Sequence, residues 1–325
     1  MAVRTFTEQI NDLYTTTWIN MKDMVADQIF DATPFYYHLK ENGGMEATTG
    51  GRQIEEPLQY AKNEQVQWIT RGGTVPLNDY EHLTTSYWDW KYLTASVVRF
   101  GVEDQQNSGS PHKLMDIVEK KLANTQDSLV DELESKLFAS AAAGDEIDGL
   151  QLLVKDDPTT STTVGGINQS THSWWQNKAT DMASESFATY GADRMRTLLN
   201  NVSNNKMSEK PDIIVAGQTP YEYYEDSILE HYRVTSNKLA DKGFENQQFK
   251  GIPMIWSPSA ANTRMYFLNT KYLKMKYDPN VFFDMTEWKP IPNQVNDFAA
   301  QIVLACTFTV SKRRCQGVLY NINTA

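Results

Sequence analysis

Hydrophobic residues recur along this chain with two clear periods. Between Pro111 and Ser140, Leu114, Val118, Leu122, Leu129, Leu133 and Leu137 return every four or seven residues, which lines them along one face of an α-helix. Asp116, Glu119, Lys120, Lys121, Asp131, Glu132, Glu134 and Lys136 fill the other faces. Pro111 suits the first helical turn and Ser110 the N-cap before it. At ~1.5 Å per residue the helix is roughly 40 Å long, well beyond the average of about three turns. The pattern predicts a rod running through the whole molecule. The second period is two. From Thr84 to Phe100, Trp88, Trp90 and Tyr92 alternate with Asp89 and Lys91, as in a half-buried strand. Arg52 to Tyr60 is a second extended run, and Arg71-Gly72-Gly73, Pro76 and Asn78-Asp79 punctuate the stretch between them. Residues 52–100 thus read as one long two-stranded excursion. A lone hairpin is marginally stable in water, so this one needs a neighbour to lie on.

The remaining patterns are shorter. Residues 1–42 read as a polar helical segment with a thin stripe of Leu13, Trp18, Met21, Met24 and Val25, followed by a glycine-rich hinge over 42–51. Residues 141–185 are irregular, with a turn and a short strand in AAAGDEIDGLQLLV and an exposed polar loop ahead of Trp174-Trp175. A helix over 186–204 carries Phe187, Tyr190, Met195, Leu198 and Leu199 on one face. Asp212 to Ala216 is a strand, and Gln218-Thr219-Pro220 opens a helix with Thr219 as its N-cap. Strands follow at Phe249–Trp256, interrupted by Gly251-Ile252-Pro253, and at Met265–Leu268, Lys274–Tyr277 and Val281–Phe283. Phe298–Val310 and Cys315–Ile322 read as two long strands joined at Ser311-Lys312-Arg313-Arg314. The sum is an α+β chain without internal repeats.

Composition narrows the class. With 325 residues, 40% apolar and 22% charged, the chain is long enough for a real core and is neither disordered nor collagenous. Its length suits two domains or one elaborated one. No apolar run reaches membrane-spanning length and the N-terminus lacks a continuous apolar core, so neither a membrane helix nor a signal peptide is expected. The net charge of −11 argues against polyanion binding over the whole surface; nucleic-acid contact needs a local basic patch. Cys306 and Cys315 are too few for a disulfide framework, and whether they pair stays open.

Candidate chemistry is sparse. The sequence holds no phosphate loop, dinucleotide fingerprint, paired-histidine zinc motif, C-x-x-C or nucleophile elbow. No enzyme, cofactor or metal site is expected. Asp145, Glu146 and Asp148 are spaced like cation ligands but do not complete a calcium loop, and read as a solvated turn. Trp88, Trp90, Trp174 and Trp175 suit a sugar-stacking platform or interface anchors, the latter favoured for aromatics at period two. Lys312, Arg313 and Arg314 form a basic cluster that faces either DNA phosphates or solvent. Asn168 and Asn201 match a glycosylation acceptor by chance in a chain without a secretory signal.

The order of elements resembles the Hong Kong 97-type major capsid proteins of tailed bacteriophages, over nearly the whole chain. Gly165-Gly166-Ile167-Asn168 ahead of Trp174-Trp175, Pro211-Asp-Ile-Ile-Val-Ala216 before the Thr219-Pro220 helix, and Phe249-Lys-Gly-Ile-Pro253 carry the likeness. The resemblance implies an N-terminal arm over 1–46 and an extended loop over 47–95. It implies a peripheral domain over 96–185 and 264–325, including a spine helix over 111–140, and an axial domain over 186–263. The implied role is a shell subunit that forms hexamers and pentamers around packaged double-stranded DNA, with only weak, non-specific DNA contact and no membrane. Portal, decoration and scaffolding proteins are the implied partners, assembly occurring in the bacterial cytoplasm. Because the chain starts at Met1 with the arm, the scaffold is expected to be a separate protein. Trp88, Trp90, Tyr92, Trp174 and Trp175 are the expected inter-subunit contacts, and Lys312, Arg313 and Arg314 the expected DNA-facing cluster. Lys62 lies where some relatives cross-link, without a fixed partner. An encapsulin-type compartment and a tryptophan-lined sugar-binding protein or hydrolase are the alternatives.

Overall fold

The computed structural model describes residues 34–63, 65–75, 77, 81–102, 111–139, 144–204, 206–228, 247–294 and 296–323. The helical stripe expected before residue 34 and the Ser110 cap lie outside these residues. The described chain runs α1 (Pro34–Glu41), β1 (Met45–Ala47), β2 (Gln53–Gln59), β3 (Leu83–Asp89), β4 (Lys91–Arg99) and α2 (Pro111–Leu137). It continues through α3 (Leu150–Leu153), β5 (Thr163–Val164), β6 (Ile167–Asn168), β7 (Lys178–Asp181), α4 (Phe187–Ser203), β8 (Ile213–Ala216) and α5 (Gln218–Ile228). Then come β9 (Gln247–Phe249), β10 (Ile252–Trp256), β11 (Met265–Leu268), β12 (Leu273–Tyr277), β13 (Asp284–Met285), β14 (Lys289–Pro290), β15 (Phe298–Val310) and β16 (Gly317–Tyr320).

Two six-stranded sheets organise these elements. The first is built on β15, whose 13 residues give it room for several partners. The antiparallel strand β4 runs along one edge of it, from Arg99 opposite Phe298 to Lys91 opposite Cys306. Along the other edge β14, β13 and β12 follow one another, and β1 adds in parallel to β12. The 27-residue α2 lies against β4, burying Leu122, Leu129, Val130, Leu133 and Leu137, and Lys121 Nζ donates to the Val98 carbonyl at 3.3 Å.

The second sheet has the order β7-β16-β11-β8-β10-β9. Its strands are apolar on both faces because each face meets a different core. Ile214, Ala216, Met254, Met265, Phe267 and Leu319 pack with Met195, Leu198 and Val202 of α4. The alternate residues Ile213, Val215, Ile255, Tyr266, Leu268 and Val318 join the larger core that α2 and the first sheet share. Period-two alternation thus sorts one sheet between two hydrophobic clusters.

Several expected features are corrected. The strand expected over 84–100 is two strands: β3 pairs with β2 in a separate hairpin, while β4 turns at Trp90 into the first sheet. The excursion therefore ends at Trp90 rather than at 95 or 100. Leu150–Leu153 is a helical turn, not a strand. Thr219 sits inside α5; the Gln218 N–H is instead capped by Asn262 Oδ1 at 3.2 Å, from a turn more than forty residues away in sequence. That turn approaches so closely that a Cβ on Gly217 would collide with the Ala261 carbonyl. The second of the two long strands expected at the end is short, β16 having four residues, and β15 and β16 belong to different sheets. The 263/264 boundary cuts through one hydrogen-bonded sheet, because β11, β16 and β7 complete the sheet of β8 and β10. Among the described residues no helix is long and apolar enough to cross a membrane.

Candidate functional site

The β2–β3 hairpin is anchored at its base and bare at its tip. Trp88 is 2% exposed, with its indole N–H donating to Ser86 Oγ at 3.1 Å. Its ring lies on Gly165, where an added Cβ would stand 2.8 Å from Trp88 Cζ2, and Gly165 holds a φ of +59°, which glycine adopts without a Cβ penalty. The Gly165 carbonyl accepts from the Tyr87 N–H at 3.0 Å. The Gly165-Gly166 turn between β5 and β6 is therefore a saddle on which β3 sits. Trp175 is also buried and donates to the Val164 carbonyl at 2.9 Å. Trp174 stacks on Tyr60 at 5.4 Å between centroids, pinning the chain just after β2.

A polar clamp holds the same hairpin to the first sheet. Glu56 on β2 accepts from Lys276 Nζ at 2.8 Å and from Thr309 Oγ1 at 2.9 Å, and both ends of this ion pair are buried. Next to it Lys274 Nζ lies 2.6 Å from Glu46 on β1, and this hydrogen bond holds the Glu46 carboxyl below its ordinary range.

These placements correct the expected contact surface. Trp88 and Trp175 have no surface left for a neighbouring subunit, and Trp174 already spends a face on Tyr60. Trp90 is half-buried against the larger core. Of the five expected residues only Tyr92 is broadly exposed. The most exposed aromatic among the described residues is Trp68 at the hairpin tip, together with Val66 at 81% and Leu77 at 92%. The signal for it was present in QVQWITRGG: an apolar trio set in a glycine-marked turn has no core within reach.

The basic cluster is corrected too. Arg313 is completely buried, donating to the Leu153 carbonyl at 2.9 Å, the Trp175 carbonyl at 3.1 Å and Asn177 Oδ1 at 3.3 Å. Burial pushes its guanidinium down to about 9, which leaves it charged at neutral pH. Lys312 and Arg314 both grip Glu209, the lysine at 2.7 Å, and Lys206 approaches the same carboxylate at 3.6 Å. Burial pushes Glu209 up, but Lys312 and Arg314 outweigh it and hold the carboxyl below its ordinary value. The turn is a brace between the two sheets rather than a face for phosphate. Glu146 of the acidic turn pairs with Lys136 at 2.7 Å, and no group of three metal-binding side chains exists among the described residues. Cys306 and Cys315 are both free and buried, and burial pushes their thiols up to about 12 and about 11.

No protein-family model matches the sequence, and no curated protein matches it. Solved structures do match. The capsid asymmetric unit of cyanophage A-1(L) superposes with a TM-score of 0.64 at 15% identity, covering 86% of this chain and 90% of that one. The capsid of a native GTA particle gives 0.59 at 12% identity, covering 88% and 90%. The chain has the Hong Kong 97-type capsid fold. The holo-SrpI encapsulin of Synechococcus elongatus PCC 7942 shares it at a TM-score of 0.54 and 15% identity, covering 90% and 89%. Within this fold the hairpin is tied at its base by the tryptophan saddle and the buried clamp, and its tip is exposed.

Proposed function

We propose that the chain is the major capsid protein of a tailed double-stranded DNA bacteriophage. In this reading copies join as hexamers and pentamers into an icosahedral head, without catalysis or cofactor. The carrying observation is the bare hairpin tip on a capsid fold: Trp68 meets nothing in its own chain. Apolar surface of this kind marks a protein interface, and a shell of identical subunits supplies the partner. The long helix α2 and the first sheet serve as the peripheral frame, and the second sheet with α4 and α5 as the axial part. Packaged DNA touches the shell weakly, in keeping with the net charge of −11 and a basic turn whose charges are already engaged. A separate scaffold, a portal and decoration proteins are the further partners, and the virion head, assembled in the host cytoplasm, is the location.

The encapsulin likeness supports a second reading, a shell around protein cargo. Electron microscopy of the purified chain tests the common part: closed shells are expected, and discrete small oligomers would overturn it. An absorbance ratio at 260 and 280 nm typical of DNA, in particles from infected cells, separates the phage head from a protein compartment. Trp68→Ala is expected to leave soluble subunits folded while weakening assembly, since truncating a large aromatic at a desolvated contact costs roughly 2 kcal/mol or more. Normal shells from that variant would remove Trp68 from the interface. The sugar-platform alternative loses its basis, because Trp88 and Trp175 are buried and Trp174 is stacked.

A further inference from the structure

The turn that closes α1 brings several reactive groups together. Asn42 is followed by Gly43, the sole Asn-Gly step in the chain. Gly43 holds a φ of +68°, and a Cβ built there would meet nothing within 4 Å, so its backbone nitrogen is unhindered on that side. This N–H has no hydrogen-bond partner among the described residues, whereas its neighbours are engaged. The Asn42 N–H donates to the His38 carbonyl at 3.1 Å, and the Gly44 N–H donates to the Leu39 carbonyl at 2.6 Å. Asn42 and Gly43 are both exposed, so water reaches them.

The Asn42 side-chain amide is held rather than loose. Its Nδ2 donates to the His38 carbonyl at 3.1 Å and lies 3.1 Å from His38 Nδ1 and 3.0 Å from His38 Nε2. The His38 ring is buried, and its Nε2 faces Asp212 Oδ2 at 3.6 Å. Asp212 is itself fixed, its Oδ1 accepting from the Thr270 N–H at 3.0 Å. A carboxylate, an imidazole and an amide nitrogen thus stand in series, with an unhindered backbone nitrogen directly after the amide. An imidazole touching the amide nitrogen can hand it a proton as it departs, the role of a general acid.

We propose that Asn42-Gly43 is a self-modifying site. The Gly43 nitrogen bonds to Asn42 Cγ as the Cγ–Nδ2 bond breaks. Gly43 gives its N–H proton to solvent, His38 gives one to Nδ2, which leaves as ammonia, and solvent restores His38. Water then opens the cyclic imide, leaving aspartate or isoaspartate at position 42. The step needs no oxidant, reductant or cofactor. The amide that faces His38 becomes a carboxylate, and the turn between α1 and β1 gains a negative charge. The assignment does not depend on the shell reading. Its test is incubation of the full chain at neutral pH in water enriched in heavy oxygen, both folded and in urea. Mass spectrometry of the peptide holding residue 42 then follows conversion. Label is expected to enter about tenfold faster in the folded chain than in urea, and His38→Gln to remove that advantage while leaving the urea rate unchanged. Circular dichroism checks that the variant is folded; if it is not, the unmodified chain's folded-to-urea ratio decides alone. A folded rate no faster than that in urea overturns the proposal. An unchanged rate in a folded His38→Gln chain overturns the role of His38.

Discussion

Arg313 illustrates what a single residue hides from sequence. Lys312, Arg313 and Arg314 are three bases in a row, and their order carries no mark of which one turns inward. The turn after β15 aims the middle one at the Leu153 and Trp175 carbonyls and at Asn177, and a guanidinium can serve several acceptors at once. Its flanking bases meet Glu209 instead. Arg313→Met is expected to keep volume but leave the Leu153 and Trp175 carbonyls without this donor, while Asn177 Oδ1 keeps the Lys155 N–H, costing about 2 kcal/mol or more in urea unfolding. A change under about 1 kcal/mol would mean that the brace is dispensable. The tryptophans teach the same lesson: alternation placed Trp88 on the inward face of a strand, but sequence does not show that Gly165, far along the chain, packs against its ring and that the side chain is fully buried.

At the scale of elements, strong local periodicity was readable and long-range pairing was not. The four- and seven-residue spacing of leucines located α2 to within a few residues, and the apolar blocks located β8, β11 and β15. The break at Trp90 was missed because both strands alternate with period two, although the inward positions switch from even numbers in β3 to odd numbers in β4 as the partner changes from β2 to β15. The α5 cap shows the reason for such misses most plainly. Thr219 has the right chemistry two positions past the cap position at Gly217, while Asn262 reaches the Gln218 N–H from another turn. Asn262→Ala is therefore expected to lower stability by about 1 kcal/mol, the usual cost of losing a cap. Thr219→Ala should cost only a few tenths, and the reverse ranking in thermal or urea unfolding would return the cap to Thr219.

Across the whole molecule, charge sets the conditions under which copies can meet. The chain carries a formal −11, so in the proposed shell bringing many copies together would work against mutual repulsion, which burial of the apolar tip would have to overcome. The screening length falls from about 10 Å at 0.1 M salt to about 3 Å at 1 M. Assembly, followed by light scattering, is therefore expected to accelerate over that range. A marked slowing would mean that attraction between unlike charges dominates the encounter. Acid tests the same balance with an opposing limit. Glu46 and Glu209 are held below the ordinary carboxylate value near 4.3. The stability they contribute is present above that value and is lost as pH falls through their folded-state values. Lowering pH towards 5 should therefore reduce repulsion and favour assembly while the Lys274–Glu46 and Lys312–Glu209 pairs hold. Once pH falls through their lowered values those pairs fail, and subunits should unfold faster than they associate. A scattering maximum on the mildly acidic side of neutrality, with loss of helix by circular dichroism only below it, is the expected profile. Assembly that declined steadily from pH 7 to 5 would show that net repulsion is not what restrains it.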